Sequence, residues 1–171
     1  MVLISDILDL SKIESNTMEF NFCNISLHQV LNEIGSAQRM NMKKGVELLL
    51  DLPGQEVTIY TDPTRLSQVI NNLVNNAIKF TSEGNIRIGY RPASSDRVKI
   101  FVEDTGTGMA KEVIEHIFDR FYKGDAFKQG TGLGLAICRT IVERFKGKIE
   151  VASTPGKGTR FTITLPLKVE E

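Results

Sequence analysis

Apolar side chains recur every three or four residues in several parts of the chain, the spacing that places them on one face of an α-helix. Ser26 and Asp62 are suitable N-caps, and Pro63 fits the first turn of the second of these helices. Gly45 and Gly147 are placed to end helices. The helices predicted in this way cover residues 2–16, 26–44, 62–78, 111–118 and 131–146.

Between these helices, apolar and polar residues alternate with the period of two that is typical of strands. The predicted strands are 18–22, 46–52 and 57–60 (either side of a Pro-Gly turn), 85–91, 98–103, and a final hairpin of 148–152 and 159–165. Strands and helices do not alternate strictly, so an α/β two-layer sandwich of the α+β kind, a mixed sheet covered on one face by helices, is favoured over a doubly wound fold. Residues 122–130 have no apolar period, and we expect them to be mobile.

The amino-acid composition argues against several classes of protein. The chain has 171 residues, of which 41% are hydrophobic and 25% charged, as expected for one globular domain. Its 21 basic residues equal its 21 acidic ones, so bulk charge gives no attraction to nucleic acid. Cys23 and Cys138 stand far apart and read as free thiols, and the isolated His28 and His116 indicate no zinc site. Neither a secretory signal nor a membrane span is recognisable.

Three polar side chains share one edge of the helix that starts after Asp62. Asn72, Asn76 and Lys79 fall within an arc of about 60° when residues are placed at 100° intervals. An amide oxygen is a suitable ligand for Mg²⁺, which takes other ligands from substrate phosphates. A lysine can neutralise phosphate charge. The arc therefore indicates a metal and phosphate site. An ordinary solvated helix face would have the same pattern.

A carboxylate and two glycines follow the strand that ends near residue 103. Asp104 can only accept hydrogen bonds, so it would favour adenine, which presents an amino group, over guanine. Gly106 and Gly108 leave room for a ligand to approach closely. A plain turn at the end of a strand is the alternative.

A second glycine-rich segment leads directly into a helix. Gly130, Gly132 and Gly134 alternate with Thr131 and Leu133, and free N–H groups at a helix start bind phosphate well. The segment is not a Walker loop, because no Gly-Lys-Ser/Thr follows, and no strand clearly precedes it as in a dinucleotide fingerprint. On its own it is a weak signal.

Taken in order, these segments resemble the ATP-binding catalytic domain (HATPase_c) of two-component sensor histidine kinases, and the similarity covers nearly the whole chain. Residues 68–81 resemble the N box of that family, and Asp104-Thr-Gly-Thr-Gly-Met the first glycine box. The phenylalanine box, the second glycine box and the final Gly-x-Gly-Thr are matched by residues 117–123, 130–135 and 156–159. The resemblance implies the Bergerat-type ATPase fold, with a lid over the ATP at about 122–130.

The resemblance also implies roles for individual residues. Asn76 would be the Mg²⁺ ligand, Lys79 a phosphate contact and Asp104 the adenine reader. Lys123 falls where the family often has a basic residue near the phosphates. Asn72 stands about one turn before the metal ligand, where related hydrolytic ATPases have a water-activating glutamate, and an amide there argues for phosphoryl transfer over hydrolysis. The remaining residues expected at the nucleotide come from the matched boxes: Phe80, Gly106, Gly108, Gly130, Thr131, Gly132, Leu133, Gly134 and Thr159.

Two features depart from the family pattern. Thr107 replaces an apolar residue within the first glycine box, and neither histidine precedes the acidic residue expected after a phosphoacceptor. Residues 7–14 resemble only the end of the second helix of the dimerisation hairpin. We therefore expect residues 1–17 to be a remnant of that hairpin and residues 18–171 to be the catalytic domain.

The function that this resemblance implies is transfer of the γ-phosphoryl group of Mg-ATP to a histidine on the absent hairpin, in a two-component phosphorelay. A response regulator would be an indirect partner. We expect this chain to be monomeric, its parent dimeric, and neither to bind nucleic acid. The expected location is cytoplasmic, and a membrane anchor elsewhere in the parent stays open. A gyrase- or chaperone-type ATPase and a non-catalytic nucleotide-sensing module are the alternatives.

Overall fold

The computed structural model describes residues 2–122 and 132–168, with side chains from Ser5 onward. Its helices are α1 (Val2–Glu14), α2 (Leu27–Arg39), α3 (Pro63–Phe80), α4 (Lys111–His116) and α5 (Gly134–Arg144). Its strands are β1 (Cys23–Ser26), β2 (Val46–Asp51), β3 (Thr58–Thr61), β4 (Gly84–Pro92), β5 (Arg97–Asp104), β6 (Lys148–Thr154) and β7 (Gly158–Pro166). Within these ranges, none of the helices is both long and apolar enough to cross a membrane.

Five of the strands form one mixed sheet in the order β2-β4-β5-β7-β6. β2 runs parallel to β4, and the other neighbours are antiparallel. Along β5, Val98, Ile100 and Val102 face the core, and Asp104 ends the same row. Because alternate residues of a strand share one face, the Asp104 carboxylate lies at the edge of the core, after three buried apolar side chains.

Helices α2, α3 and α5 cover one face of this sheet. Each turns an apolar stripe inward, and α3 buries the largest one. The start of α3 is fixed by Asp62, whose side chain accepts from the backbone N–H groups of Thr64 and Arg65, as an N-cap does. The predicted sandwich, with helices on one face of a mixed sheet, is confirmed.

Helix α1 lies against this unit with an unusual distribution of side chains. Asp6 and Asp9 are buried, while Ile7 and Leu8 are 50% and 55% exposed. Leu10 and Ile13 contact the core from its edge. The helix predicted at 2–16 is thus present, but acidic groups occupy part of its inward face and apolar groups part of its outward face.

The strand predicted at 18–22 is wrong, since β1 begins only at Cys23 and pairs with β3. Phe20 and Phe22 lie side by side, with ring centroids 6.1 Å apart, and both rest against Phe145 at the end of α5. The backbone N–H of Asn21 donates to the Asp62 carboxylate and not to a neighbouring strand. An extended segment packed on a helix has the same alternation as a strand, so the pattern could not distinguish them.

β2 and β3, predicted on either side of a turn, belong to different sheets. Helix α2 ends at Arg39 and not near Lys44, because its buried positions stop at Gln38 and Met40 is exposed. Gly45 shapes the turn into β2 with a φ of 89°. The other predicted strands agree with the observed ones to within two residues.

The last long helix was predicted from residue 131 but begins at Gly134. Its end is formed by Lys146, which takes the left-handed conformation with a φ of 63°, and not by Gly147. The N–H groups of Lys146 and Gly147 donate to the carbonyls of Glu143 and Val142, the pattern of a Schellman motif. Gly147 is required for another reason, since a Cβ there would lie 2.3 Å from the Thr164 carbonyl oxygen.

Candidate active site

The loop that follows β5 lies between the C-terminal end of α3 and the β6–β7 turn. The N–H of Thr107 donates to the Phe80 carbonyl at 3.0 Å, and the N–H of Gly156 donates to the Thr107 carbonyl at 2.7 Å. Three of the segments that the sequence singled out are therefore in direct backbone contact: the end of the asparagine helix, the first glycine segment and the final Gly-x-Gly-Thr turn.

The glycines of this loop are required by the protein backbone itself. A Cβ on Gly106 would lie 2.1 Å from the Phe80 carbonyl oxygen, and one on Gly108 would lie 2.1 Å from that of Thr154. Gly108 also has a φ of 69°, which side chains disfavour. The main chain alone therefore requires glycine at both positions, and their proximity to a ligand stays a prediction.

Asp104 is the central polar group of the site and is only 7% exposed. Its carboxylate accepts from the Gly106 N–H at 2.9 Å. Burial raises the pKa of Asp104, and the N–H groups of Gly106 and Thr159 oppose that rise by stabilising the ionised form. The carboxyl group is thus held in place by hydrogen bonds although its charge is poorly solvated.

Two threonines accompany this carboxylate. Thr159 is the cross-strand partner of Asp104 and is 9% exposed. Thr81 follows α3 directly and is fully buried, and its hydroxyl has no well-aligned hydrogen bond within the described residues. The Thr81 hydroxyl is nevertheless close enough to the carboxylate to lower the pKa of Asp104 slightly. The sequence analysis included Thr81 as the last residue of the N box (68–81) but gave it no role of its own.

Along α3, the predicted arc borders the apolar stripe, as expected. Asn72 and Asn76 are partly buried and Lys79 is exposed. The Asn72 amide donates to the Cys138 thiol of α5 at 3.5 Å, so Asn72 joins the two helices. Asn76 has no hydrogen-bond partner among the described residues.

The next segment of the candidate site is the start of α5. Gly132 has a φ of 72°, and a Cβ there would lie 2.8 Å from the backbone of Phe121. Leu133, between Gly132 and the helix, is fully buried. Apart from its chain neighbours and its own helix backbone, no described atom lies within 4 Å of a Cβ built on Gly134, at the N-terminus of α5.

Lys123, Gly130 and Thr131, with the lid predicted at 122–130 apart from Tyr122, lie outside the described residues. In the described ranges, no group of three or more His, Cys, Asp or Glu side chains is placed to hold a metal ion. A donor set of one amide oxygen, with phosphate oxygens and water, is compatible with the chemistry of Mg²⁺.

Residues 61–169 match the model of one protein family, described as histidine kinase-, DNA gyrase B- and HSP90-like ATPases. The match begins at the residue before the Asp62 cap and ends just after β7, so it contains every part of the site. The chain belongs to this ATPase family.

Its relatives narrow the assignment within the family. The sensor histidine kinase RcsC of Escherichia coli K12 is 41% identical over 96% of this chain, and WalK of Bacillus subtilis is 35% identical over 99%. The chain spans 18% of the length of RcsC and 29% of WalK. It is the ATP-binding catalytic domain of a histidine kinase.

Solved structures agree with this assignment. Full-length ShkA in complex with AMPPNP superposes with a TM-score of 0.90 at 27% identity, over 98% of this chain and 36% of ShkA. The catalytic domain of the histidine kinase ThkA superposes with a TM-score of 0.76 at 28% identity, over 86% of this chain and 99% of that domain. The Bergerat-type fold expected from the sequence is therefore confirmed.

Proposed function

We propose that this domain binds Mg-ATP and donates its γ-phosphoryl group to a histidine of a dimerisation hairpin, within a two-component phosphorelay. The observation that carries the proposal is the buried Asp104 carboxylate, held at the meeting point of α3, the loop after β5 and the β6–β7 turn. Burying a carboxylate costs free energy unless a hydrogen-bond partner compensates for the solvation that it loses. The amino group of adenine is such a partner.

The phosphates lie, in this proposal, between the N-terminus of α5 and the last turns of α3. Gly134 leaves open space at a helix start, where backbone N–H groups and the helix dipole favour anions. Lys79, exposed on the last turn of α3, contributes a positive charge. Lys123, Gly130 and Thr131 are proposed on the resemblance alone. ShkA, which shares this fold, is described as a complex with AMPPNP.

Asn76 is the proposed Mg²⁺ ligand, since its partly buried amide has no described hydrogen-bond partner. When bound, the ion neutralises charge on the phosphate oxygens. Asn72 supports transfer over hydrolysis, because it is a poor general base and its amide is bonded to Cys138 of α5. A neutral imidazole needs no such base to attack phosphorus.

We propose that the acceptor is neither of the two histidines of this sequence. The His28 ring nitrogen is bonded to the buried Tyr90 hydroxyl, and the His116 ring nitrogen contacts Asp119 at 2.9 Å. Helix α1, with residues 1–17, is the proposed end of the hairpin, and its exposed Ile7 and Leu8 fit a helix that continues into a larger bundle. The catalytic domain proper is then 18–171.

The parent protein is proposed to be a cytoplasmically acting homodimer that passes its phosphoryl group to a response regulator, with this chain alone monomeric. Calorimetric titration with ATP, with and without Mg²⁺, tests the nucleotide site. Mixing the chain with a separately produced acceptor hairpin and radiolabelled ATP tests the transfer. Label on the hairpin, together with negligible phosphate release by the chain alone, is the expected result. Binding without transfer would favour a nucleotide-sensing module, and steady phosphate release would favour a hydrolytic ATPase.

A further inference from the structure

Three polar side chains stand in one row across the edge of the sheet. Asp104 of β5 is the cross-strand partner of Thr159 of β7, and Thr159 is the cross-strand partner of Ser153 of β6. Side chains of directly opposed residues point to the same face. Ser153 therefore continues the row that begins at the proposed adenine-reading carboxylate, although it does not belong to any of the sequence segments singled out above.

The Ser153 hydroxyl makes three contacts. It accepts from the backbone N–H of Met109 at 2.8 Å, lies 2.9 Å from the Gly158 carbonyl oxygen, and lies 2.8 Å from the Thr159 hydroxyl. Met109 closes the loop after Asp104, and Gly158 precedes Thr159. One side chain thus joins the loop on one side of the carboxylate to the strand on the other.

Proton counting fixes the direction of these bonds. A hydroxyl has one proton to donate, and a carbonyl oxygen can only accept. If Ser153 donates to Gly158, the third contact is satisfied only when Thr159 donates its own proton to Ser153. The Thr159 oxygen then has lone pairs but no proton to offer to a ligand.

We propose that Ser153 is a positioning residue that holds the Thr159 hydroxyl as a hydrogen-bond acceptor beside Asp104. This proposal rests on the nucleotide site proposed above and deepens it. Two adjacent acceptors match the amino group of adenine, directly or through a water molecule, and repel the oxygen that replaces it in a 6-oxopurine. Ser153 thereby sets the selectivity between the two classes of purine without contacting the base.

The test compares ATP with inosine triphosphate, which carries an oxo group in place of the amino group, by calorimetry on the intact chain with Mg²⁺. For Ser153→Ala we expect the Kd for ATP to rise about five- to tenfold, the value of one hydrogen bond, and that for inosine triphosphate to change less than about twofold. Ser153→Thr keeps the hydroxyl and should retain the wild-type ratio of the two constants. Ser94→Ala, which removes an exposed hydroxyl bonded to Asp96 in the β4–β5 loop, is the matched control.

A double-mutant cycle separates positioning from general damage. If Ser153 acts through Thr159, then Ser153→Ala combined with Thr159→Val should discriminate no worse than Thr159→Val alone. Equal weakening of both nucleotides by Ser153→Ala, or no change in either, would overturn the proposal. Wild-type chain that binds neither nucleotide would overturn the nucleotide site itself. Wild-type chain that binds ATP while Ser153→Ala keeps the full ratio would overturn only the role of Ser153.

Discussion

The carboxylate of Asp9 on α1 lies 3.5 Å from the guanidinium group of Arg65 on α3, and both side chains are largely buried. The same carboxylate accepts from the Gln68 side chain at 2.6 Å. Asp62, which caps α3, also accepts from the backbone of Asn21 in the segment after α1. The first turns of α3 thus hold both α1 and the chain that follows it.

Replacing Arg65 by Met should leave the Asp9 carboxylate buried, with Gln68 as its one partner among the described residues. Because breaking a buried ion pair leaves an uncompensated charge, we expect the free energy of unfolding to fall by about 3 kcal/mol. Urea denaturation measures the change. Arg91→Met breaks the exposed ion pair with Asp51 and should cost no more than about 1 kcal/mol. Equal losses in the two variants would show that the Asp9–Arg65 contact contributes no more than a surface pair.

Replacing Asp104 by Asn should remove a burial cost and weaken ATP binding. Asn keeps an oxygen that can accept from the Gly106 N–H, but it loses the charge. Charge-assisted hydrogen bonds contribute about 1.5–3 kcal/mol, so the Kd for ATP should rise by about 10- to 100-fold. Calorimetric titration checks this, and unchanged affinity would remove Asp104 from the base site.

The stability of the same variant should depend on pH in a defined direction. Burial raises the pKa of Asp104 above its ordinary value of 3.8, so the folded domain binds this proton before the unfolded chain does. The cost of the buried charge is therefore fully present above the raised pKa and disappears as the pH falls toward 3.8. Relative to wild type, Asp104→Asn should be most stabilised at neutral pH, and the difference should shrink through that window. A difference that grows on acidification would contradict the burial of the charge.

Two glycine substitutions should separate folding from ligand binding. An Ala Cβ at Gly106 would meet the Phe80 carbonyl at 2.1 Å, so Gly106→Ala should lower the urea midpoint sharply. Beyond its chain neighbours and its own helix backbone, Ala at Gly134 meets no described atom within 4 Å, and Ala is favoured over Gly in a helix by about 0.5–1 kcal/mol. Gly134→Ala should therefore fold at least as well as wild type and bind ATP more weakly. Wild-type affinity in that variant would exclude phosphate from the start of α5.

Replacing Asn76 by Leu, which has a similar volume but no oxygen, should remove the Mg²⁺ dependence of ATP binding. Wild-type affinity should fall when Mg²⁺ is withheld, whereas the affinity of Asn76→Leu should be low and the same with or without the ion. The control is Asn75→Leu, because Asn75 is exposed and accepts from Gln38 of α2. If Asn76→Leu retains the full response to Mg²⁺, the ion has another ligand.

The two cysteines should differ in their reactivity. Burial raises the pKa of Cys138 to about 12, whereas Cys23 is exposed. Because the thiolate is the reactive form, iodoacetamide should label Cys23 in the native protein and Cys138 only after unfolding. Mass spectrometry of digested samples gives the extent at each site. Native labelling of Cys138 at the rate of Cys23 would show that the thiol is not buried between α5 and α3.

The sequence predicted α3 well because local signals agreed there. The Asp62 cap, Pro63 and a continuous apolar stripe all point to the same element. The segment at 18–22 was misassigned because alternation reports which side chains face inward but not whether another strand supplies hydrogen bonds. Phe20 and Phe22 find their partner in Phe145, more than a hundred residues away in the chain.

The sequence motifs indicated which residues of the candidate site lie close together, but not the residues outside the motifs. Asp104, Thr159 and the end of α3 lie together as the resemblance implied, whereas Ser153 was missed. A signal for it was present, because Ser153 continues the inward phase of Ile149 and Val151 along β6. A polar residue at an inward position needs a partner, but the partners of Ser153 belong to two separate segments, the loop after β5 and the start of β7, and only the fold brings them together.

The close contacts of the loop after β5 bear on how relatives without activity would be recognised. Gly106 and Gly108 are pressed against carbonyl groups, and Gly158 is pressed against that of Asp104, whatever the cleft contains. A related domain that had lost nucleotide binding would still need all three glycines in order to fold. These three glycines therefore indicate the fold, whereas Asp104, Asn76 and Gly134 are the residues on which the proposed nucleotide site depends.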